Sequence, residues 1–180
     1  MKNSKRKNLM KEIKRTNERI DMIQNYMFSA TVDDITPAIL VRLHRESFPD
    51  LPEVSGIENG DCIDLRSAEE IHLKKGEFKL INLGVSIQLP EGYSADLIVR
   101  SSTFKKYKIL QTNSIGIIDE SYCGDNDIWM LPVIATEDTV IPKNERICQF
   151  RLVKKNIPFV YRVDKLEGKD RGGFGSTGRI

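Results

Sequence analysis

Apolar residues along the chain change their period near residue 38, and that change divides it. Upstream, Leu9, Ile13, Ile20, Ile23 and Met27 recur at spacings of four, seven, three and four, in a stretch (5–28) free of Gly and Pro. This spacing predicts an amphipathic helix with one apolar stripe, too short to argue a coiled coil. Asp33-Asp34-Ile35-Thr36-Pro37 ends it. From about Ile39 the period falls to two. Residues 78–89 predict one long or bent strand, closed by Pro90-Glu91-Gly92. Ala95, Leu97 and Val99 alternate with Asp96, Ile98 and Arg100. Cys148, Phe150 and Leu152 alternate with Gln149 and Arg151, which puts Gln149 on the face opposite the apolar set. Further strands are expected near 62–67, 109–118, 128–135 and 158–166. Many short strands with almost no helix among them predict an all-β fold, a jelly-roll-like β-barrel. The chain thus reads as a helical extension (1–37), a β domain (38–166) and a mobile C-terminal arm (167–180).

Charge adds an asymmetry to this division. Residues 1–30 hold eight basic side chains against three acidic ones, +5, so the remaining 150 residues carry −3 of the overall +2. The basic character belongs to the extension. Only Tyr26 and Phe28 accompany it, at its far end, so a solvated charged helix is favoured over nucleic-acid binding. A length of 180 residues and a hydrophobic fraction of 39% allow one well-cored domain plus an appendage. No apolar run reaches membrane-spanning length, and no signal-like stretch opens the chain. Cys62, Cys123 and Cys148 are odd in number and scattered, which argues against a disulfide framework or a zinc site. These features point to a cytoplasmic protein without a membrane partner.

Chemistry concentrates in a few places. The segment Gly172-Gly173-Phe174-Gly175-Ser176-Thr177-Gly178 offers a backbone whose N–H groups can approach anionic oxygens, two hydroxyls, and one ring able to stack. That combination suits a nucleotide, although Gly- and Ser-rich ends also occur as solvated tails. No helix follows it in this sequence, so it would have to act as a lid over a site built elsewhere. Asp119 follows Ile117-Ile118 at an expected strand end, where a rigidly held carboxylate can deprotonate water. Tyr122, three residues on, can lie under a sugar; the same pair also suits an ordinary turn with a packed Tyr. Arg100-Ser101-Ser102 offers charge-assisted bonds to phosphate, or a plain surface strand end.

In order along the chain, Asp64-Leu65-Arg66, Arg100-Ser101-Ser102, Asn113 to Tyr122, Arg146-Ile147-Cys148-Gln149 and Gly172 to Gly178 resemble the five motifs of the trimeric deoxyuridine triphosphatases (dUTPases). The third and fifth motifs are specific; the first and fourth mean little alone. The resemblance implies a jelly roll assembled as a homotrimer, with active sites shared between subunits and a C-terminal arm closing over each. It implies hydrolysis of dUTP to dUMP and pyrophosphate with Mg²⁺, limiting uracil entry into DNA and supplying dUMP for thymidylate synthesis. By that likeness Asp119 is the base, and Asp64 touches the metal through water. Arg100, Ser101, Ser102 and Gln149 hold phosphates. Asn113, Gly116 and Ile118 meet uracil in a narrow hairpin, and Tyr122 lies beneath the deoxyribose. On the arm, Phe174 stacks on the base, with Arg171, Gly175, Ser176 and Thr177 beside it.

Three departures from the family pattern stand out. Lys169 occupies the place of the arm's usual Arg, while Arg171 lies three residues before Phe174; an ammonium cannot bind bidentately. Asp61-Cys62-Ile63 replaces a small residue and Gly in the first motif. Residues 1–37 have no counterpart in the family's basic pattern. Two alternatives follow. One is a regulatory module that uses the basic extension to engage a partner protein. The other, weaker, is a dCTP deaminase, whose catalytic Glu would fall where this chain has Ile128-Trp129-Met130-Leu131.

Overall fold

The computed structural model describes residues 37–56 and 60–170. The expected helix over 5–28 and arm residues Arg171, Phe174, Gly175, Ser176 and Thr177 lie outside the described residues.

The described chain is all-β apart from one five-residue helix. In order the elements are β1 (Leu40–Leu43), β2 (Ile63–Arg66), β3 (Ile71–Leu73), β4 (Phe78–Asn82), β5 (Val85–Gln88), β6 (Tyr93–Val99) and α1 (Thr103–Tyr107), then β7 (Ile109–Gln111), β8 (Gly116–Ile118), β9 (Met130–Ala135), β10 (Thr139–Ile141) and β11 (Arg146–Lys154). They pair into an antiparallel four-stranded sheet in the order β2-β11-β6-β8, a three-stranded sheet β4-β9-β7, and two ribbons, β1-β5 and β3-β10. This is the expected jelly-roll-like architecture, with strands of three to nine residues switching sheets at turns.

Period-two alternation fixes which side chains fill the interior. Leu65, Ala95, Leu97 and Phe150 point inward from the four-stranded sheet, and Ile81, Leu131, Val133 and Ile109 from the three-stranded one. Trp129 lies edge-on to Phe150, with ring centroids 5.0 Å apart and planes at 74°. Burying each such side chain contributes about 1.5–3 kcal/mol. The same alternation turns Asp64, Gln149 and Ile98, which are in register across β2, β11 and β6, to the outer face.

Several expected elements differ. Residues 78–89 form two strands in different sheets, because Gly84 (φ +67°) reverses the chain between them. Its N–H donates to Asn82 Oδ1 (2.7 Å), and a Cβ there would stand 2.7 Å from Leu51 Cδ2. The expected strand over 109–118 is also two strands: β7 pairs with β9 and β8 with β6. The turn between them is therefore a corner joining two sheets, not a hairpin of paired strands. No strand forms over 158–166; Phe159, Val160 and Tyr161 are 81–91% exposed with no sheet edge beside them.

Candidate active site

The predicted residues fall into two groups at opposite parts of the four-stranded sheet. The first is built on β2, β11 and the end of β6. Asp64 faces outward, and both its oxygens are engaged: Arg100 Nε stands 2.8 Å from Oδ1 and Arg146 Nη1 donates to Oδ2 at 3.1 Å. Gln149 lies directly opposite Asp64 in the ladder. Arg100 is fixed by its main chain, which receives Thr103 N–H (3.0 Å) and donates to the Ile147 carbonyl (3.4 Å). The Thr103 hydroxyl donates to that same carbonyl at 2.7 Å. Ser101 is exposed and Ser102 half-buried at the start of α1. Two guanidinium groups held by one carboxylate keep their remaining N–H groups available to an anion, the geometry that phosphate recognition uses. Cys148, behind this surface, is fully buried, and burial pushes its thiol pKa well up. It is an inert core residue.

The second group sits at the corner between β7 and β8 and in the loop beyond. Ser114 takes a positive φ of 58°, and Ile115 N–H donates to the Asn113 carbonyl at 2.6 Å, closing the turn. Gly116 is buried against β6: a Cβ there would lie 3.4 Å from Leu97 Cβ and 3.5 Å from Asn113 Nδ2. Ile118 is half-buried at the end of β8, and Asp119 follows, 58% exposed. The Asp119 carboxylate is engaged through both oxygens, with acceptor sites left over: Ser121 N–H donates to Oδ1 (2.9 Å) and Lys155 Nζ to Oδ2 (2.9 Å). The Ser121 bond, then Lys155, holds its pKa down at about 2. Lys155 also stands 3.2 Å from Glu120, whose other oxygen accepts from Gly92 N–H (2.6 Å). Tyr122 turns back through its N–H to the Asp119 carbonyl (3.0 Å), and its hydroxyl donates to the Ile128 carbonyl (3.2 Å).

The two groups are not adjacent within one chain. Asp64 is level with Ile98, while Asp119 follows Ile118, which pairs with Ala95. Three strand spacings across and four residues along the sheet put them about 20 Å apart. Among the described residues no three His, Cys, Asp or Glu side chains gather to hold a metal ion. With both oxygens of Asp64 on arginines, the surface fits a metal carried by the ligand's own oxygens and touched by Asp64 only through water. Two residues that sequence reasoning missed complete the second group. Lys155 grips Asp119, and Gln111 bonds both to β6 and to Asn113. Of the departures noted above, Lys169 is exposed and makes no ion pair among the described residues.

The chain is similar to known proteins in both sequence and fold. Residues 59–178 match the family model described as dUTPase. An SPbeta prophage-derived deoxyuridine 5'-triphosphate nucleotidohydrolase of Bacillus subtilis is 56% identical over 127 residues, 69% of this chain and 89% of that protein. The deoxyuridine 5'-triphosphate nucleotidohydrolase of Finegoldia magna is 39% identical over 145 residues, 77% of this chain and 98% of that one. Among solved structures, the dUTPase of Staphylococcus bacteriophage 80alpha with dUpNHpp superposes with a TM-score of 0.67 at 22% identity, over 79% of this chain and 99% of that one. A point mutant of the dUTPase from phage phi11 of S. aureus, described with a structural Mg(II) ion, gives 0.63 at 19%, over 73% and 99%. These last two show the shared fold; with the family match and the curated relatives, they establish that this chain belongs to the dUTPase family.

Proposed function

We propose that this protein hydrolyses dUTP to dUMP and pyrophosphate, with Asp119 as the base. The observation that carries the reading is a carboxylate set at the rigid end of β8, oriented through both oxygens and ionised throughout the neutral range. A water held by Asp119 attacks the α-phosphorus and gives its proton to the carboxylate. The bond to the bridging oxygen breaks, and pyrophosphate leaves. Arg100, Ser101, Ser102 and Gln149 hold the phosphates. Mg²⁺, carried on the triphosphate, supplies neutralisation of the charge that develops on the leaving oxygens. Asn113, Gly116 and Ile118 receive uracil, and Tyr122 supports the deoxyribose. Arg171, Phe174, Gly175, Ser176 and Thr177 close over the nucleotide from the arm.

A base must lie within hydrogen-bond reach of the water it activates, and about 20 Å of sheet separates Asp119 from the phosphate-binding surface of its own chain. This separation supports sites completed by other copies, in a homotrimer. The segment after β11 supports it too, because Ile157, Phe159, Val160 and Tyr161 are at least 80% exposed and need a partner surface. The cytoplasm suits three unpaired cysteines. Neither alternative gains support. Trp129 and Leu131 are core residues, and no carboxylate stands at 128–131; nothing favours a regulatory partner for residues 1–37.

Pyrophosphate release measured with dUTP beside dCTP, dTTP and UTP tests the reading. Turnover of dUTP well above the other three is expected. Equal turnover of all four, or ammonia release from dCTP, would overturn it.

A further inference from the structure

We propose that Gln111 is a specificity-determining positioning residue: it locks the Asn113 side chain so that the amide nitrogen, and not the oxygen, faces the bound base. The proposal rests on the reading of Asn113 as a uracil contact.

Donors and acceptors fix the orientation of both amides. Gln111 ends β7 and reaches across to β6. Val99 N–H donates to the Gln111 side chain at 3.1 Å. A main-chain N–H can only donate, so the receiving atom is the amide oxygen Oε1. The other end of the side chain is then Nε2, with two hydrogens to place. One goes to the Leu97 carbonyl at 3.0 Å and the other to the Asn113 side chain at 2.9 Å. Only Oδ1 of Asn113 can accept it. Two side-chain amides, either of which would be ambiguous alone, are thus set in series by a backbone group that cannot turn over.

The consequence falls on the ligand side. With Oδ1 spent on Gln111, Nδ2 points toward Gly116, 3.5 Å from where a Cβ would be. It donates to no group among the described residues. Uracil presents a carbonyl acceptor at its 4-position, where cytosine presents an amino donor. A fixed Nδ2–H bonds the first and sets N–H against N–H with the second. An Asn free to turn would offer Oδ1 to cytosine equally well, so Asn113 without Gln111 discriminates poorly. Buried polar groups left unpaired by the wrong substrate are the strongest filter a site can use.

The test compares kcat/KM for pyrophosphate release from dUTP and from dCTP, using the full chain with Mg²⁺, in wild type, Gln111→Met, Gln111→Glu and Asn113→Ala. Gln111→Met keeps the side chain's length and removes its bonds; the dUTP:dCTP ratio is expected to fall about 10- to 100-fold. Gln111→Glu still accepts from Val99 N–H but cannot donate, so Asn113 turns its Nδ2 to the new carboxylate and shows Oδ1 to the base. Its ratio should fall at least as far, and it carries the test should Gln111→Met not fold. Wild-type ratios in the folded Gln111 variants, beside a lost ratio in Asn113→Ala, would overturn the proposal while leaving Asn113 as the base contact. A wild-type ratio in Asn113→Ala would overturn both.

Discussion

On the proposed reading, the sheet-borne and corner-borne halves of the site recognise different things by different means. Around Asp64, Arg100, Arg146 and Gln149 the work is done by side chains: Asp64 and Gln149 stand in register on the outer face, and both arginines pair with Asp64. Around Asn113, Gly116 and Asp119 it is done by backbone geometry: a positive φ at Ser114, a missing Cβ at Gly116, and amides fixed from behind. A phosphate is a diffuse anion that any correctly placed cation can hold. A base edge is a fixed pattern of donors and acceptors that demands a rigid complement. The first half tolerates adjustment; the second does not.

Substitutions in the two halves should therefore fail differently. Asp119→Asn keeps the shape of the corner and removes the proposed base. Turnover should drop about 10²- to 10⁴-fold with nucleotide binding retained, as measured by steady-state kinetics and calorimetry. Arg100→Met acts on the other half and leaves Asp64 with Arg146 alone. Its kcat/KM should fall about 10- to 100-fold, with much of the loss in KM, because one charge-assisted contact is gone. If Asp119→Asn raised KM alone and Arg100→Met lowered kcat alone, the assignment of roles would be reversed.

The smallest effect concerns Lys155. Its ammonium joins Asp119 and Glu120 at 2.9 and 3.2 Å, and it follows β11 directly, where the chain leaves toward the arm. Both carboxylates have their pKa lowered, Asp119 by the Ser121 N–H and then Lys155, Glu120 by Lys155 and then the Gly92 N–H. A depressed folded pKa gives stability above the ordinary carboxylate range that is lost as pH falls from there through about 2 for Asp119. Lys155→Met removes part of that contribution. Acid unfolding followed by circular dichroism should then begin at a pH roughly a few tenths of a unit higher than in wild type, a small shift because the Asp119 carboxylate is more than half exposed and keeps its Ser121 N–H bond.

Much of the sheet-borne half was legible in the sequence. The alternation in 95–100 and 148–152 assigns Gln149 to the outer face, and the ladder places it there beside Asp64. The corner was less legible. Residues 109–118 carry enough apolar side chains to suggest one strand, and nothing local tells that β7 and β8 join different sheets. Three-residue strands such as β3 and β10, and the five-residue α1, are too short to show a period. Lys155 and Gln111 were missed for one physical reason: Asp119 lies 36 residues from Lys155, the β6 groups that orient Gln111 toward Asn113 lie 12 and 14 residues from it, and only folding brings them together.

Mixing two impaired variants tests most directly the claim that each site joins the sheet half of one chain to the corner half of another. Arg100→Met and Asp119→Asn chains, unfolded together and refolded in equal amounts, should form mixed oligomers in which about a quarter of the sites pair two intact halves. Pyrophosphate release at dUTP concentrations well below the KM of the Arg100→Met variant should recover toward that fraction of wild type, above either variant refolded alone. No recovery, with mixed oligomers shown to form, would place both halves of the site on a single chain and contradict the account.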